Sequence, residues 1–249
     1  MITLKNRHAF EKMSIAGKLL ASLFSKLMSI IQPGISTLAI DSFIEQYLDE
    51  HNLLSCTKGF MSYKHASCIS INDEVVHGIP HNKVFLHEGD LVKIDICASW
   101  SGYCADMARC FIVGQASAQV EQFVQVAYSA LNKGIEQAYP GKHIGDISAA
   151  IQAEIEKHGY GVVRDFAGHG IGKKMHEDPE ILNYGKAGTG SLIKPGMAFA
   201  IEPMLTLGNY HVYVASDGWT AKTVDKSLAA HVEDTVIIRE HGPEVITRL

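Results

Sequence analysis

Four carboxylates lie inside apolar, strand-like runs, and they constrain the fold more than any other feature of this sequence. The runs are Leu-Val-Lys-Ile-Asp95-Ile, Tyr-Cys-Ala-Asp106-Met, Phe-Ala-Ile-Glu202-Pro and Val-Glu233-Asp-Thr-Val-Ile-Ile. An ionised carboxylate is expensive to bury unless it is paired, hydrogen-bonded or bound to a metal. Four that converge would repel one another unless cations neutralise them. We therefore expect these strands to build a site for divalent metal ions.

A sparse internal repeat relates the two halves of the chain. A constant offset carries Pro33-Gly34 onto Pro140-Gly141 and Asp95 onto Glu202. Apolar residues at helical spacing predict two helices in each half, near 8–31, 38–51, 120–135 and 144–155. Strands are predicted after each pair, near 69–77, 91–98 and 105–113 in the first half and near 161–167, 197–204, 210–215 and 232–239 in the second. Two α-α-β units in tandem predict an α+β domain with pseudo-two-fold symmetry and helices that cover a curved antiparallel sheet.

The same pattern sets the expected domain organisation. No Pro/Gly/Ser-rich linker separates the halves, so we expect one domain over residues 1–249, with repeat halves of about 8–114 and 115–241. The gap from Glu202 to Glu233 in the second half is longer than the gap from Asp95 to Asp106 in the first. This difference predicts a hairpin or loop insertion around 207–227.

Composition and charge narrow the class of protein. The net charge is -5 and the sequence has no basic block, so nucleic acid is not an expected partner. No membrane partner is expected either, because no apolar run approaches the roughly 20 residues that span a bilayer. The N-terminus has no signal-peptide pattern. Five cysteines without a C-x-x-C pair predict neither a disulfide framework nor a structural zinc site. We expect a reduced, cytoplasmic protein.

A glycine-flanked histidine, His169, completes the expected ligand set. Any one of these five residues taken alone would more often be structural, and the repeat is what favours a shared site. Carboxylates with one imidazole suit Co, Mn, Fe, Zn or Ni ions. Bridging carboxylates allow two metals roughly 3.5 Å apart, which share a hydroxide and polarise a carbonyl. The expected chemistry is hydrolysis of an amide or ester, with His77 and His176 as hydrogen-bond partners of the substrate.

Several longer motifs resemble those of type I methionine aminopeptidases. They are Ser70-Ile-Asn-Asp-Glu-Val-Val-His77-Gly-Ile-Pro80, Gly168-His-Gly-Ile-Gly172, His176-Glu-Asp-Pro179, Ile201-Glu-Pro-Met204 and Asp217-Gly-Trp219-Thr-Ala-Lys222. The resemblance covers nearly the whole chain. It implies the pita-bread fold and removal of the initiator methionine from nascent proteins, with a preference for a small second residue.

The resemblance also implies a role for each site residue. Asp95, Asp106 and Glu233 would hold one metal, and His169 and Glu202, with bridging Asp106 and Glu233, would hold the other. Glu202 would shuttle the proton between the metal-bridging hydroxide and the leaving amine. His77 and His176 would lie over the scissile peptide. The remaining residues implied for the substrate pocket are Phe60, Tyr63, Cys68, Met175 and Trp219. The expected partners are peptide or nascent-chain N-termini, with transient ribosome contact, and the expected state is a monomer.

Departures from the family pattern lie close to these motifs. Ala105 and Met107 replace the glycine and threonine usual around the bridging aspartate, and Met61, Lys64 and Met175 replace a usual histidine, proline and aromatic residue. We expect them to alter metal affinity, rate or specificity. Two alternatives remain: a pita-bread aminopeptidase with another N-terminal specificity, such as a proline-specific enzyme, or a non-catalytic binding protein. The presence of all five ligands favours an active enzyme.

Overall fold

Four helices carry the apolar stripes that the sequence predicts. The computed structural model describes residues 1–249 and places the helices at α1 Arg7–Ile30, α2 Thr37–Glu50, α3 Ala118–Ile135 and α4 Ile144–Lys157. Three of them begin after a polar residue whose side chain accepts a hydrogen bond from the backbone N–H three residues on: Asn6, Ser36 and Ser117. The helix bounds agree with the predicted ones to within a few residues.

A 3₁₀ turn at Phe60–Ser62 and fifteen strands of two to ten residues form the rest of the regular structure. In chain order they are β1 Leu54–Ser55, β2 Cys68–Ile71, β3 Glu74–Val76, β4 Leu91–Trp100, β5 Tyr103–Ile112, β6 Gly161–Val162, β7 Ala167–Gly170, β8 Glu177–Leu182, β9 Ala198–Ile201, β10 Met204–Thr206, β11 Val212–Val214, β12 Ala221–Thr223, β13 Ala229–His231, β14 Glu233–Arg239 and β15 Gly242–Val245. Nine of them form one antiparallel sheet along the path β1-β4-β5-β14-β9-β7-β8, with β2 on β4 and β15 on β14. Two three-stranded sheets, β13-β10-β6 and β11-β12-β3, complete the fold.

The pseudo-two-fold symmetry is visible in the middle of the large sheet. β5 and β14 pair at its centre, and β4 and β9, which carry the repeated glycine-led motif, flank them. The bounds of α2 and α4 differ by 107 residues, the same offset that separates Asp95 from Glu202. The turn glycines Gly34 and Gly141 both have a φ close to 90°. The predicted α+β class and its pseudo-two-fold α-α-β repeat are confirmed.

The two faces of the sheet carry different residues, because side chains alternate along a strand. On β5, Asp106 points to the face away from α1, whereas Met107 lies in the core beneath it and Phe111 stacks on Phe24 of α1. One core cluster gathers residues of α1 and α2, and a second gathers those of α3 and α4. The helices therefore cover one face and leave the other for the carboxylates.

Helix α1 is long and apolar enough to cross a membrane by length and composition alone. The sequence nevertheless contains no unbroken apolar run of roughly 20 residues here, because lysines and other polar residues interrupt the helix. In the structure the buried stripe of α1, which includes Met13, Leu20 and Leu27, packs against β4 and β5. The helix is thus part of the core.

Several predicted strands are interrupted where the chain turns. The run 69–77 divides into β2 and β3 at Asn72, whose φ is 53°. The run 161–167 divides into β6 and β7, and the run 197–204 breaks at Glu202-Pro203 between β9 and β10. The predicted insertion at 207–227 contains the hairpin β11–β12. That residues 1–249 form a single domain stays a prediction, supported by strands of both halves joining in one sheet.

Candidate metal centre and substrate pocket

One cavity of about 940 Å³ opens on the face of the sheet opposite the helices. All twelve residues singled out from the sequence line it: Phe60, Tyr63, Cys68, His77, Asp95, Asp106, His169, Met175, His176, Glu202, Trp219 and Glu233. They come from segments separated by more than 170 residues of chain. The fold thus brings the predicted metal ligands and the predicted pocket residues to the same space.

Three of the carboxylates reach the cavity from adjacent strands. Ala108 on β5 lies opposite Asp95 of β4 on one side and opposite Glu233 of β14 on the other. Asp106 lies two residues before Ala108, so its side chain shares their face. The hydroxyl of Thr235 accepts a hydrogen bond from the Asp106 backbone N–H and donates one to its carbonyl, both at 2.8 Å. This hydroxyl fixes β5 against β14 where the acids meet.

His169 and Glu202 complete the cluster from strands β7 and β9. His169 lies opposite Ala200 in the β7–β9 ladder, and its Nδ1 is 2.9 Å from the carbonyl oxygen of Gly170. Because Nδ1 then carries the proton, the lone pair of Nε2 faces the acids, 3.5 Å from a Glu202 oxygen and 4.0 Å from one of Asp106. A histidine held in this way has its metal-binding nitrogen free.

Close packing explains why glycines flank His169. A Cβ at Gly168 would come 2.4 Å from the carbonyl oxygen of Ala200, and one at Gly170 would come 2.1 Å from that of Asp178. Neither glycine needs a positive φ. Close approach of the neighbouring strands therefore accounts for both glycines.

The electrostatics of the cluster favour a bound cation. Burial raises the pKa of Asp95 to about 6, and burial with mutual repulsion raises the pKa of Asp106 and Glu233 well above the ordinary value. Burial also raises the pKa of Glu202. The Oε1 atom of Glu233 is buried and has no hydrogen-bond partner. An orphaned carboxylate oxygen near an imidazole with a free nitrogen fits a divalent metal site.

The sequence reading missed a second buried histidine at this centre. The Nε2 of His231 lies 3.2 Å from a Glu202 oxygen, and burial lowers the pKa of His231 to about 4. One atom each of His231, Glu202 and Glu233 fall within 4.8 Å of one another. A signal was present, because His231 precedes Glu233 by two residues and strand alternation would put both on one face.

The two histidines expected to face a substrate flank the cavity on different elements. His77 follows β3 with a left-handed φ of 61°, and its ring packs edge-on to Phe166 at 5.4 Å. Such backbone strain in a non-glycine residue is frequent at functional sites. His176 lies at the mouth, with its ring 4.4 Å from that of His169. Burial lowers the pKa of both histidines, to about 4 for His77, so both are neutral at physiological pH.

An aromatic wall lines the apolar part of the cavity. The rings of Tyr63 and Trp219 meet edge-on at 4.9 Å, and the Tyr63 hydroxyl donates to the carbonyl oxygens of Ser67 and Gly78. Asp217 accepts hydrogen bonds from the backbone N–H groups of Trp219 and Thr220 and so holds this turn. Met175 borders this part of the cavity on the side of His176. An apolar pocket with sulfur and aromatic groups therefore adjoins the acids.

The departures from the family pattern fall into two groups. Met61 and Met175 line the cavity, and Met61 is 76% exposed at its rim. Lys64 is exposed and lies outside the cavity, and Ala105 and Met107 lie in the core on the helix side of β5. The expectation that Met107 would bear on the bridging aspartate through its side chain is not supported, because strand alternation turns that side chain away.

A buried ion pair holds the segment that carries Met175 and His176. One oxygen of the Glu177 carboxylate accepts from the backbone N–H groups of Lys173 and Lys174, at 2.9 and 3.2 Å. The other accepts from Lys5 Nζ at 3.0 Å and from the Thr3 hydroxyl at 2.5 Å. The Lys5 and Glu177 side chains are 5% and 10% exposed. The chain's N-terminal segment thus supports the rim of the cavity.

The fold and the donor set together define a metal-dependent peptide hydrolase. The chain belongs to metallopeptidase family M24, whose model matches residues 11–240. It is therefore an enzyme, and divalent metal ions are part of its chemistry. The similarity extends to full-length relatives: a methionine aminopeptidase of Clostridium acetobutylicum is 43% identical over 247 residues, 99% of each chain, and methionine aminopeptidase 1 of Bacillus subtilis is 39% identical over the full length of both.

Solved structures agree with this placement. The methionine aminopeptidase of Thermotoga maritima superposes with a TM-score of 0.98 at 40% identity and covers all of both chains. A prolidase from Pyrococcus furiosus, at 22% identity and a TM-score of 0.78, shares the fold; the chain covers 65% of it. The pita-bread fold expected from the motifs is thereby confirmed.

Proposed function

We propose that this chain removes the N-terminal methionine from peptides and nascent proteins whose second residue is small. The observation that carries the proposal is one cavity in which an apolar, aromatic and sulfur-lined pocket adjoins four buried carboxylates and a histidine. Full-length relatives at about 40% identity that are named methionine aminopeptidases support the same substrate.

The proposed metal centre holds two divalent ions. Asp95, Asp106 and Glu233 would bind one, and His169 and Glu202, with the bridging Asp106 and Glu233, would bind the other. The orphaned Glu233 oxygen and the free Nε2 of His169 support this set. When bound, such ions acidify water and polarise a carbonyl group. Cobalt, manganese, iron, zinc and nickel all accept these donors.

The protein's own residues would move protons and orient the substrate. Glu202 is the proposed proton carrier between the attacking water and the leaving amine, because its buried carboxyl has a raised pKa and readily takes up a proton. His231 holds one of its oxygens. His77 and His176, both neutral, would donate hydrogen bonds to the scissile carbonyl and to the oxyanion that forms from it.

The pocket would select methionine by contact with its thioether. Tyr63 and Trp219 provide ring edges, and Cys68 and Met175 provide sulfur, which together suit a flexible thioether side chain. The flanking Phe60, 40% exposed, closes the mouth against the His176 ring. Tyr63 is fixed by two hydrogen bonds, so this wall is held in place before substrate binds.

The proposed partner is a peptide or nascent-chain N-terminus, met by a monomeric enzyme in the cytoplasm. Transient contact with the ribosome stays a prediction. Of the two alternatives, the non-catalytic protein is disfavoured by the complete ligand set. A pita-bread aminopeptidase with another specificity would have to use the same pocket, so the choice of N-terminal residue decides between the two enzymes.

The test is release of methionine from the peptides Met-Ala-Ser and Met-Lys-Ser. Apo-protein is reconstituted separately with Mn²⁺, Fe²⁺, Co²⁺ and Zn²⁺, and Leu-Ala-Ser serves as the side-chain control. We expect cleavage of Met-Ala-Ser alone. No cleavage with any metal, in a protein that binds the metals stoichiometrically, would refute methionine as the substrate. Faster cleavage of Leu-Ala-Ser would point to the alternative specificity.

A further inference from the structure

Three cysteines converge beside the carboxylates although the sequence has no C-x-x-C motif. Cys56 follows β1, Cys97 lies on β4 and Cys104 on β5, and their sulfur atoms all lie within 4.8 Å of one another. The sulfurs of Cys56 and Cys104 are 3.5 Å apart. All three are free thiols. We call them the thiol cluster.

The backbone holds the thiol cluster firmly. The Cys56 N–H donates to the carbonyl oxygen of Cys97 at 2.9 Å, which extends the β1–β4 ladder by one residue. In the β4–β5 ladder Ser99 lies opposite Cys104, so Cys97 and Cys104 are diagonal neighbours on one face. Two ladders therefore fix the backbone at all three positions.

Burial and access both suit ion binding. Cys97 and Cys104 are 2% exposed, whereas Cys56 is only partly buried and gives access from solvent. Buried cysteines more often pack as small apolar side chains, and that reading explains any one of them. It gives no reason for three sulfurs, from three different strand segments, to point at a common centre.

We propose that the thiol cluster binds one soft divalent ion of the Zn²⁺ and Cd²⁺ class through Cys56, Cys97 and Cys104. A tetrahedral site with metal–sulfur bonds of about 2.3 Å has sulfur–sulfur edges of about 3.8 Å, close to the observed 3.5 Å. The carbonyl oxygen of Lys173 lies 3.7 Å from the Cys104 sulfur, at the border of the cluster. Binding replaces the thiol protons, which pass to solvent.

This site is distinct from the carboxylate centre in both ligands and metal preference. The two centres share no ligand, although they adjoin: Cys97 lies directly opposite Asp106 in the β4–β5 ladder and borders the same cavity. Thiolates select soft ions, whereas the carboxylates suit harder ones such as Mn²⁺. The thiol site does not depend on the proposed aminopeptidase activity and is tested without it.

The experiment uses Cd²⁺ as the probe and the sulfur-to-cadmium charge-transfer absorption as the readout. Full-length protein is first saturated with Mn²⁺, which occupies the carboxylate centre, and Cd²⁺ is then titrated in. We expect the band to rise to a break at one Cd²⁺ per chain. Cys56→Ser should weaken this binding by more than about tenfold, since one of three thiolates is lost. Cys104→Ala is a second variant, which removes a buried thiol of the cluster where Cys56→Ser removes a partly exposed one.

A matched control distinguishes the cluster from thiols in general. Cys110→Ser removes another partly buried cysteine that lies outside the cluster, and it should leave the titration unchanged. Cys68→Ser, at the pocket, should also retain the band. Absence of the band in the unmodified protein, or its retention in both Cys56→Ser and Cys104→Ala, would overturn the proposal. Loss of the band in Cys110→Ser or Cys68→Ser would likewise overturn it.

Discussion

The buried pair of Lys5 and Glu177 should govern both stability and the position of His176. Replacing Glu177 with Gln leaves the Lys5 ammonium buried without a charged partner. It also replaces one acceptor oxygen by an NH2 group, which faces groups that can only donate. Breaking a buried pair from one side in this way costs about 3–5 kcal/mol. Lys5→Met leaves Glu177 with its hydrogen bonds from Thr3, Lys173 and Lys174. That variant should lose only about 1–3 kcal/mol, the value of one hydrogen bond to a charged group.

The pH dependence of this pair follows from the same contacts. Burial lowers the pKa of Lys5, and Glu177 partly restores it. In Glu177→Gln the restoring interaction is lost, so the pKa of Lys5 in the folded state falls further below its unfolded value. A depressed folded pKa means that stability increases as the pH rises through it. The deficit of Glu177→Gln relative to the unmodified protein should therefore shrink on going from neutral to alkaline pH.

The assay is denaturant unfolding of both single variants and the double variant, together with kcat and KM for Met-Ala-Ser. Because the Glu177 carboxylate fixes the segment before His176, kcat of Glu177→Gln should fall by about 10- to 100-fold. Glu240→Gln, an exposed acid outside the cavity, is the matched control and should change neither quantity. A Lys5→Met variant that is less stable than Glu177→Gln would refute this reasoning, as would additive losses in the double variant.

Three further predictions follow from the carboxylate centre and the sheet that carries it. Asp106→Asn should abolish methionine release in metal-defined buffer and leave the unfolding transition nearly unchanged, with the exposed Asp165→Asn as control; retained turnover would rule out a metal-bridging role. Met107→Thr should reduce stability by about 2–3 kcal/mol, because it truncates a core side chain and buries a hydroxyl, and it should leave metal affinity unchanged. Met28→Thr, at a position on α1 that is 73% exposed, is its control. A change in metal affinity measured by calorimetry would contradict the placement of Met107 on the core side of β5. The third variant, His231→Gln, is tested in metal-free protein. Burial depresses the folded pKa of His231 to about 4, so the unmodified chain loses stability as the pH falls from about 6.5 to 4, and the free energy of unfolding of His231→Gln should rise relative to it by up to about 3 kcal/mol. Parallel pH–stability curves would show that His231 is not kept neutral.

Local pattern was enough to predict the helices and the central strands. The apolar stripes of α1 and α4 are buried as their spacing predicts, and the repeat correctly placed β4 and β9 in equivalent positions. Several short strands, among them β1, β13 and β15, were missed. They have too few residues to show a period.

The metal-centre residues could be named in advance because each carries its own local anomaly. A carboxylate such as Asp106 inside an apolar strand is conspicuous in any sequence, and so is His169 between two glycines. Glu177 shows no such anomaly, because its role depends on Lys5, 172 residues away. His231 was hidden for a similar reason, since only burial beside Glu202 distinguishes it from the other histidines.

The sequence by itself determined the pseudo-symmetric α+β class and the chemical types gathered at the site, because hydrophobic period and buried charge are properties of short segments. Tertiary structure alone decided which side of β5 each residue faces at the site. It turned Met107 into the core beneath α1, away from the acids. It also brought Cys56 to the sulfurs of Cys97 and Cys104. Contacts between strands distant in the chain depend on sheet register, and no single segment encodes that register.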